Sequence, residues 1–260
     1  SYRRIALMTP AMRHFFEATG RWAEGIDLLA AALAAIDAAG DAEPSTRTAV
    51  LDALAVLHWR RGDFALAERH ARAALALARS EDHAGGIKAA LTTIGLSLWQ
   101  MGRYEEARTH YEEGLARARM DRDREGIAQF SSNLAIVEKT EGNYARAASL
   151  YEEALAIERL VGNRRGLVTR LNNLGNLHRV QHDPAAALRC FEEGLQLAQA
   201  TGLAAPAVFL LVNLALTTLE LGDLDRCAHY ARLGLEMARS HSDPQSEGIA
   251  WLSKASRAVS

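Results

Sequence analysis

A chain of 260 residues with 49% hydrophobic and 24% charged residues has the balance of a folded globular protein, with ample apolar material for a core. Thirty basic residues against thirty-two acidic ones leave a formal net charge of -2, which argues against a bulk electrostatic pull toward nucleic acid or an anionic membrane. Its two cysteines, Cys190 and Cys227, form no C-x-x-C pair, so a disulfide or zinc framework is not indicated and a reducing, cytoplasmic setting is expected.

The sequence opens on Ser1 without an initiator methionine and runs out in a helical pattern, which is expected of an excised part of a longer polypeptide; no signal peptide can be read. Residues 1 to 19 read as a helix that Pro10 should kink or split. From Gly20 a first copy of a repeat begins, with Trp22 and Leu33 in places that recur later. The apolar run Leu28 to Ile36, like the later one from Ala204 to Val212, falls well short of the roughly 18 residues that a membrane span needs.

After that the period is forty residues. It is carried by "GDFALAERHARAAL" from Gly62, "GRYEEARTHYEEGL" from Gly102 and "GNYARAASLYEEAL" from Gly142, then by the weaker "HDPAAALRCFEEGL" from His182 and "GDLDRCAHYARLGL" from Gly222. Leu75, Leu115, Leu155, Leu195 and Leu235 hold one register, and the small residues Ala55, Gly95, Ala135, Gly175 and Ala215 hold another.

Within a unit the apolar residues recur at three and four, as in Leu91, Ile94, Gly95 and Leu98, and again at Tyr104, Ala107, Tyr111 and Leu115. Each unit is therefore two amphipathic helices, each of about 24 Å if it has roughly sixteen residues. The glycine between them suits a left-handed turn. Small residues on the first helix face Ala67, Ala107, Ala147 and Ala187 on the second, which lets the backbones approach while aromatics fill the gap to the next unit. One unit cannot bury both faces alone, so the units must stack into a curved α-solenoid. The expected divisions are 1–40, 44–82, 84–122, 124–162, 164–202 and 204–242, with a capping helix over 244–260 that puts Ile249, Leu252 and Val259 on one stripe; the whole is read as a single domain, 1–260.

Gly95, Gly102, Tyr104, Ala107 and Tyr111, repeated as Ala135, Gly142, Tyr144, Ala147 and Tyr151, resemble the tetratricopeptide repeat in its long, forty-residue form. The resemblance covers nearly the whole chain and implies an all-α fold: a right-handed superhelix of stacked antiparallel helix pairs, about six units and a cap. Departures are local. His182 and Pro184 replace the glycine and aromatic of one turn, where the proline can open the following helix. The alternation of "RGDFALAERHARAALALAR" with "GNRRGLVTRLNNLGNL" is also similar to the C-terminal repeat regions of large bacterial signalling ATPases and of LuxR- or adenylate-cyclase-type regulators. There the repeat arm senses a ligand or partner and restrains other domains.

Catalytic signals are poor. No G-x-G-x-x-G, P-loop, G-x-S-x-G or H-E-x-x-H is present, and neither a cofactor nor a metal is called for. The pairs Glu112-Glu113, Glu152-Glu153 and Glu192-Glu193 point about 100° apart and read as a solvated face rather than acid/base dyads. His178 and His182 have an i, i+4 spacing that can hold a metal, but packing and turn roles explain them better. Cys227 stands in an alanine register and reads as a small buried residue. Acidic residues interleave the arginines of "RARMDRDR", and arginines near helix C-termini suit the dipole, as they also do in "NRRGLVTR".

The first helices carry the functional signal. With Leu171, Leu174, Gly175 and His178 on the packing side, Thr169, Asn172, Asn173 and Asn176 gather opposite, on the side expected to line the concave groove. The same construction yields Gln129, Ser132, Asn133 and Ile136 in the preceding unit, and Phe209, Val212, Asn213 and Leu216 in the following one. Asn133, Asn173 and Asn213 thus form a ladder, one rung per repeat. Along the rim runs Trp59, Trp99, Lys139, Arg179 and Leu219, from aromatic through cationic to aliphatic.

Each amide offers a donor and an acceptor, which matches the backbone of an extended peptide, and Lys139 and Arg179 could hold its acidic groups. The resemblance implies the same, because tetratricopeptide domains commonly bind peptides in this groove. An equally simple role for the amides is to bond neighbouring helices, and the two tryptophans could be core edge. The leading expectation is a non-enzymatic module that binds a protein or peptide partner. A small-molecule effector domain and a self-associating scaffold remain the alternatives.

Overall fold

Glycine or a polar turn residue at a regular interval cuts the chain into helices of seventeen or eighteen residues. The computed structural model describes residues 2–39 and 43–240. It holds twelve α-helices among the described residues: α1 (Tyr2–Thr19), α2 (Trp22–Ala39), α3 (Pro44–Arg61), α4 (Phe64–Ser80), α5 (Ala84–Gln100), α6 (Tyr104–Met120), α7 (Arg124–Thr140), α8 (Tyr144–Val161), α9 (Arg164–Val180), α10 (Pro184–Ala200), α11 (Ala204–Glu220) and α12 (Leu224–Ser240). No strand occurs among the described residues. The fold is an all-α repeat of helix pairs. The cap expected over 244–260 lies outside the described residues.

Of the two outcomes expected of Pro10, a split does not occur: Pro10 lies inside α1, which runs from Tyr2 to Thr19. The turns follow backbone chemistry closely. Between the two helices of a pair, Gly62 has φ +90° and its N–H donates to the carbonyl of Trp59 at 3.1 Å, closing a left-handed helix end. His182 occupies the equivalent place at φ +59°, a conformation that a side-chain-bearing residue adopts at some cost. Pro184 opens α10, as its place after His182 suggested, and Asp183 caps that helix by accepting from the Ala186 N–H at 2.9 Å.

Two compact units divide between Gly126 and Ile127. In the first, Phe16, Ile26, Leu29, Ile36, Val50, Leu54 and Leu57 form one buried cluster, joining α1, α2 and α3. Further along the same unit, Tyr111 of α6 lies against Gly95 of α5, where a methyl group would overlap its ring. In the second unit Ala135, Ala147, Tyr151, Leu155, Leu171 and Leu174 pack together, and Phe191, Leu195, Leu211 and Leu214 form the next cluster. Phe191 meets Gly175 as Tyr111 meets Gly95. Small-on-aromatic contacts therefore recur inside each unit and bury rings worth roughly 150–250 Å² each.

Ion pairs between residues about one repeat apart join successive repeats within each unit. Arg103 meets Glu68 at 2.8 Å and Arg117 meets Asp82 at 2.6 Å in the first unit; Arg159 meets Glu193 at 2.9 Å and Arg226 meets Glu192 at 2.6 Å in the second. Glutamates of the repeated pairs thus lie on a wet face, where each exposed pair contributes about 0.2–1 kcal/mol.

Candidate functional site

The alternation of packing and non-packing positions along α9 buries Leu171, Leu174, Gly175 and Leu177 and leaves Asn172, Asn173 and Asn176 half-buried on the other side. Asn163 starts this helix by accepting from the Gly166 N–H at 3.0 Å, which sets where the asparagines fall. On α7, Gln129, Asn133 and Lys139 are half-buried; on α11, Asn213 is half-buried while Phe209 and Leu219 are exposed. Eight of the ten sequence-selected residues therefore belong to the second unit. Trp59 and Trp99 belong to the first, both half-buried, with the Arg60 guanidinium 5.4 Å from the Trp59 ring centre.

The structure brings two members of the asparagine set together. Asn213 donates from Nδ2 to Oδ1 of Asn172 at 2.8 Å, linking α11 to α9. The pairing falls on Asn172 rather than on Asn173. Asn133, Asn173 and Asn176 make no side-chain hydrogen bond to the described residues, so their donors and acceptors remain open. Part of the set ties α11 to α9 and part stays available.

The cationic residues divide in the same way. Arg179 holds Glu220 with two bonds, Nη2 to Oε1 at 2.6 Å and Nε to Oε2 at 3.3 Å, a forked geometry that favours carboxylates. Lys139 has no ion pair among the described residues, and its burial pushes the ammonium pKa below the usual lysine value. A half-buried cation without a counter-charge gains most from an anion brought by a ligand.

Near these residues, Ser132 is fully buried with its Oγ unpartnered, and Ser131 donates to Glu153 at 2.9 Å. Neither Glu153 nor Glu220 was marked for such a role by sequence. The only signal for Glu220 is its offset of 41 residues from Arg179, one more than the repeat.

His178 lines a separate cavity of about 370 Å³ with Leu171, Arg189 and Cys190. Burial pushes the Cys190 thiol up to about 11, which leaves it protonated and unreactive near neutral pH. Cys227 is fully buried in the α12 packing face. Among the described residues no group of three or more His, Cys, Asp or Glu side chains is arranged to hold a metal ion, and no helix is long and apolar enough to cross a membrane.

The family profile described as tetratricopeptide repeat matches residues 47–120, 87–159 and 126–200 in overlapping windows. No curated protein matches the sequence significantly. Among solved structures, BtubC (BKLC) from P. vanneervenii is 20% identical, with a TM-score of 0.71 over 87% of this chain and 94% of that one. A Signal Transduction ATPase with Numerous Domains protein with a tetratricopeptide repeat sensor, from Pyrococcus horikoshii, is 14% identical with a TM-score of 0.71; 96% of this chain aligns with 38% of it. The Rap conjugation gene regulator of the plasmid pLS20, in complex with the Phr* peptide, is 14% identical with a TM-score of 0.68, over 95% of this chain and 72% of that one. At these identities the likeness is one of fold.

Proposed function

The chain belongs to the tetratricopeptide repeat family, and on that premise we propose that its second unit binds an extended, acidic peptide or partner segment along α7, α9 and α11. The observation that carries this reading is the set of open groups on those helices: the amides of Asn133, Asn173 and Asn176 and the unpaired ammonium of Lys139. Amides of this kind match the alternating donors and acceptors of an extended main chain. Lys139 supplies the preference for acidic residues, Arg179 joins it when Glu220 yields, and the exposed Phe209 and Leu219 offer apolar contact. That the Rap regulator is seen with a peptide on a similar fold supports the reading. So does the repeat sensor of the signalling ATPase, which fits a role as the regulatory arm of a larger cytoplasmic signalling protein.

The test is selection of a displayed random peptide library on the wild-type protein, followed by fluorescence polarisation with the selected peptides. Replacing Asn133, Asn173 and Arg179 together by alanine should abolish binding while helicity by circular dichroism stays unchanged. Selection of peptides without acidic residues, or unaltered affinity in the triple variant, would refute the proposal.

A further inference from the structure

Between consecutive repeats, the last turns of a second helix meet the first turns of the next first helix, and the residues there return every forty positions. One register holds Ala78, Ala118, Ala198 and Ala238, all buried; Glu158 takes that place in α8 and is buried too. Another holds Val50, Ala90, Phe130 and Leu210, all buried; Arg170 takes that place in α9. Both departures fall on one contact, that of α8 with α9 inside the second unit, and they meet there: Arg170 Nη2 lies 3.4 Å from Glu158 Oε1. The carboxylate rests on the backbone of Gly166, where a methyl group would overlap it.

A charge pair has thus replaced alanine and an apolar side chain within the packing. Its contact is long for a charged hydrogen bond. Arg170 Nε has no hydrogen-bond partner, and neither has the hydroxyl of the fully buried Tyr151, which feels its charge. Burial lowers the Arg170 pKa against the pull of Glu158. Taking such groups out of water costs more than an imperfect pair returns, and parting the helices rehydrates them. The apolar half of the contact, Tyr151 and Leu155 against Leu167 and Leu171, holds it closed.

The helices on either side are tied by better bonds. Ser131 donates to Glu153 at 2.9 Å between α7 and α8, while Asn213 to Asn172 at 2.8 Å and Arg179 to Glu220 at 2.6 Å hold α11 to α9. The ion pair that joins α8 to α10, Arg159 with Glu193, is exposed and contributes little.

We propose that the α8–α9 contact is a joint at which the second unit opens and closes, α7 and α8 moving against α9 to α12, and that a ligand spanning α7 and α9 holds it closed. The opening stands on the buried pair; the ligand's part rests on the peptide reading. Asn133 and Lys139 lie on one side of the joint and Asn173 and Asn176 on the other. A segment that touches both sets prefers one spacing of the helices and shifts the equilibrium toward it.

Double electron–electron resonance on the whole chain tests this, with spin labels at Glu141→Cys and Leu221→Cys and with Cys190→Ser and Cys227→Ala removing the native thiols. Both labelled positions are exposed and lie at the ends of α7 and α11 remote from the α8–α9 link. Without ligand, the distance distribution should be about twice as wide in this background as in Glu158→Ala with Arg170→Leu, which restores residues of the other repeats. Tyr151→Phe, which matches Phe191, should narrow it in the same direction at unchanged helicity. A peptide selected on the protein should narrow the background distribution to the width of the double variant. Equal widths in the background, the double variant and Tyr151→Phe would overturn the joint. A bound peptide that leaves the width unchanged would overturn its coupling to the ligand. Should no peptide be selected, the peptide reading fails while the ligand-free distributions still decide the joint.

Discussion

Asn213 and Asn172 are 41 residues apart and joined side chain to side chain, Nδ2 to Oδ1 at 2.8 Å. Because both are half-buried, the bond is shielded enough to contribute about 1 kcal/mol to stability. Asn172→Ala and Asn213→Ala should each lower the unfolding free energy by about that amount in urea titrations. The double variant should cost clearly less than the two summed, since each single change already removes the bond. Strict additivity would show that the two amides do not couple.

Glu220 competes with any acidic ligand for Arg179. Its carboxylate is half exposed while the arginine is mostly covered, so the pair is held weakly and can exchange. Glu220→Gln should therefore tighten binding of an acidic peptide by about two- to fivefold, the equivalent of an exposed ion pair. The gain should shrink between low and high salt. Fluorescence polarisation at two ionic strengths reads both effects, and in a protein that already carries Arg179→Ala the Glu220→Gln change should leave affinity where it was.

Gly175 sits inside α9, where alanine would ordinarily stabilise a helix by about 1 kcal/mol. A methyl group there would overlap the ring of Phe191, which is fully buried and has no room to retreat. Overpacking wins this contest, and Gly175→Ala should destabilise the protein by about 1–3 kcal/mol. Adding Phe191→Leu should restore part of the loss. Chemical denaturation of the single and double variants checks the sign.

His58 and His70 stack in the first unit, with ring centres 5.3 Å apart and planes inclined by 14°. Burial lowers both pKa values, that of His70 to about 4, with the second imidazole and nearby Arg69 adding to the shift; Asp63 pulls His58 the other way. Lowered folded-state values mean that the unfolded chain binds more protons between about pH 6.5 and 4. Stability is therefore complete above the ordinary histidine range and falls as the pH drops through that window. For the half-exposed His70 the loss should be roughly 1 kcal/mol after allowance for solvent screening. His70→Gln should flatten the melting temperature against pH over the same range, and an unchanged slope would count against the stack as its source.

Much of the architecture is legible as a one-dimensional pattern. The spacing of Leu91, Ile94 and Leu98 makes a helix, Gly62 and Gly102 end one, and the pairing of Gly95 with Tyr111 or Gly175 with Phe191 follows from registers that return every forty residues. Each depends on local backbone preference or on apolar periodicity, and both repeat with the sequence. Pro10 does not interrupt that pattern, since α1 continues past it without a split.

The polar partners are different in kind. Asn172 with Asn213 and Arg179 with Glu220 are separated by 41 residues, and Arg13 with Asp52 by 39, so none lies in phase with the repeat. The stagger between neighbouring helices, together with the reach of each side chain, chooses such partners. Composition and periodicity determined that the chain is an all-α repeat with an asparagine-bearing face. Only the packed helices decided which asparagines are spent on each other and which cation keeps its charge unmatched, because those outcomes turn on offsets of a single residue that a forty-residue period averages away.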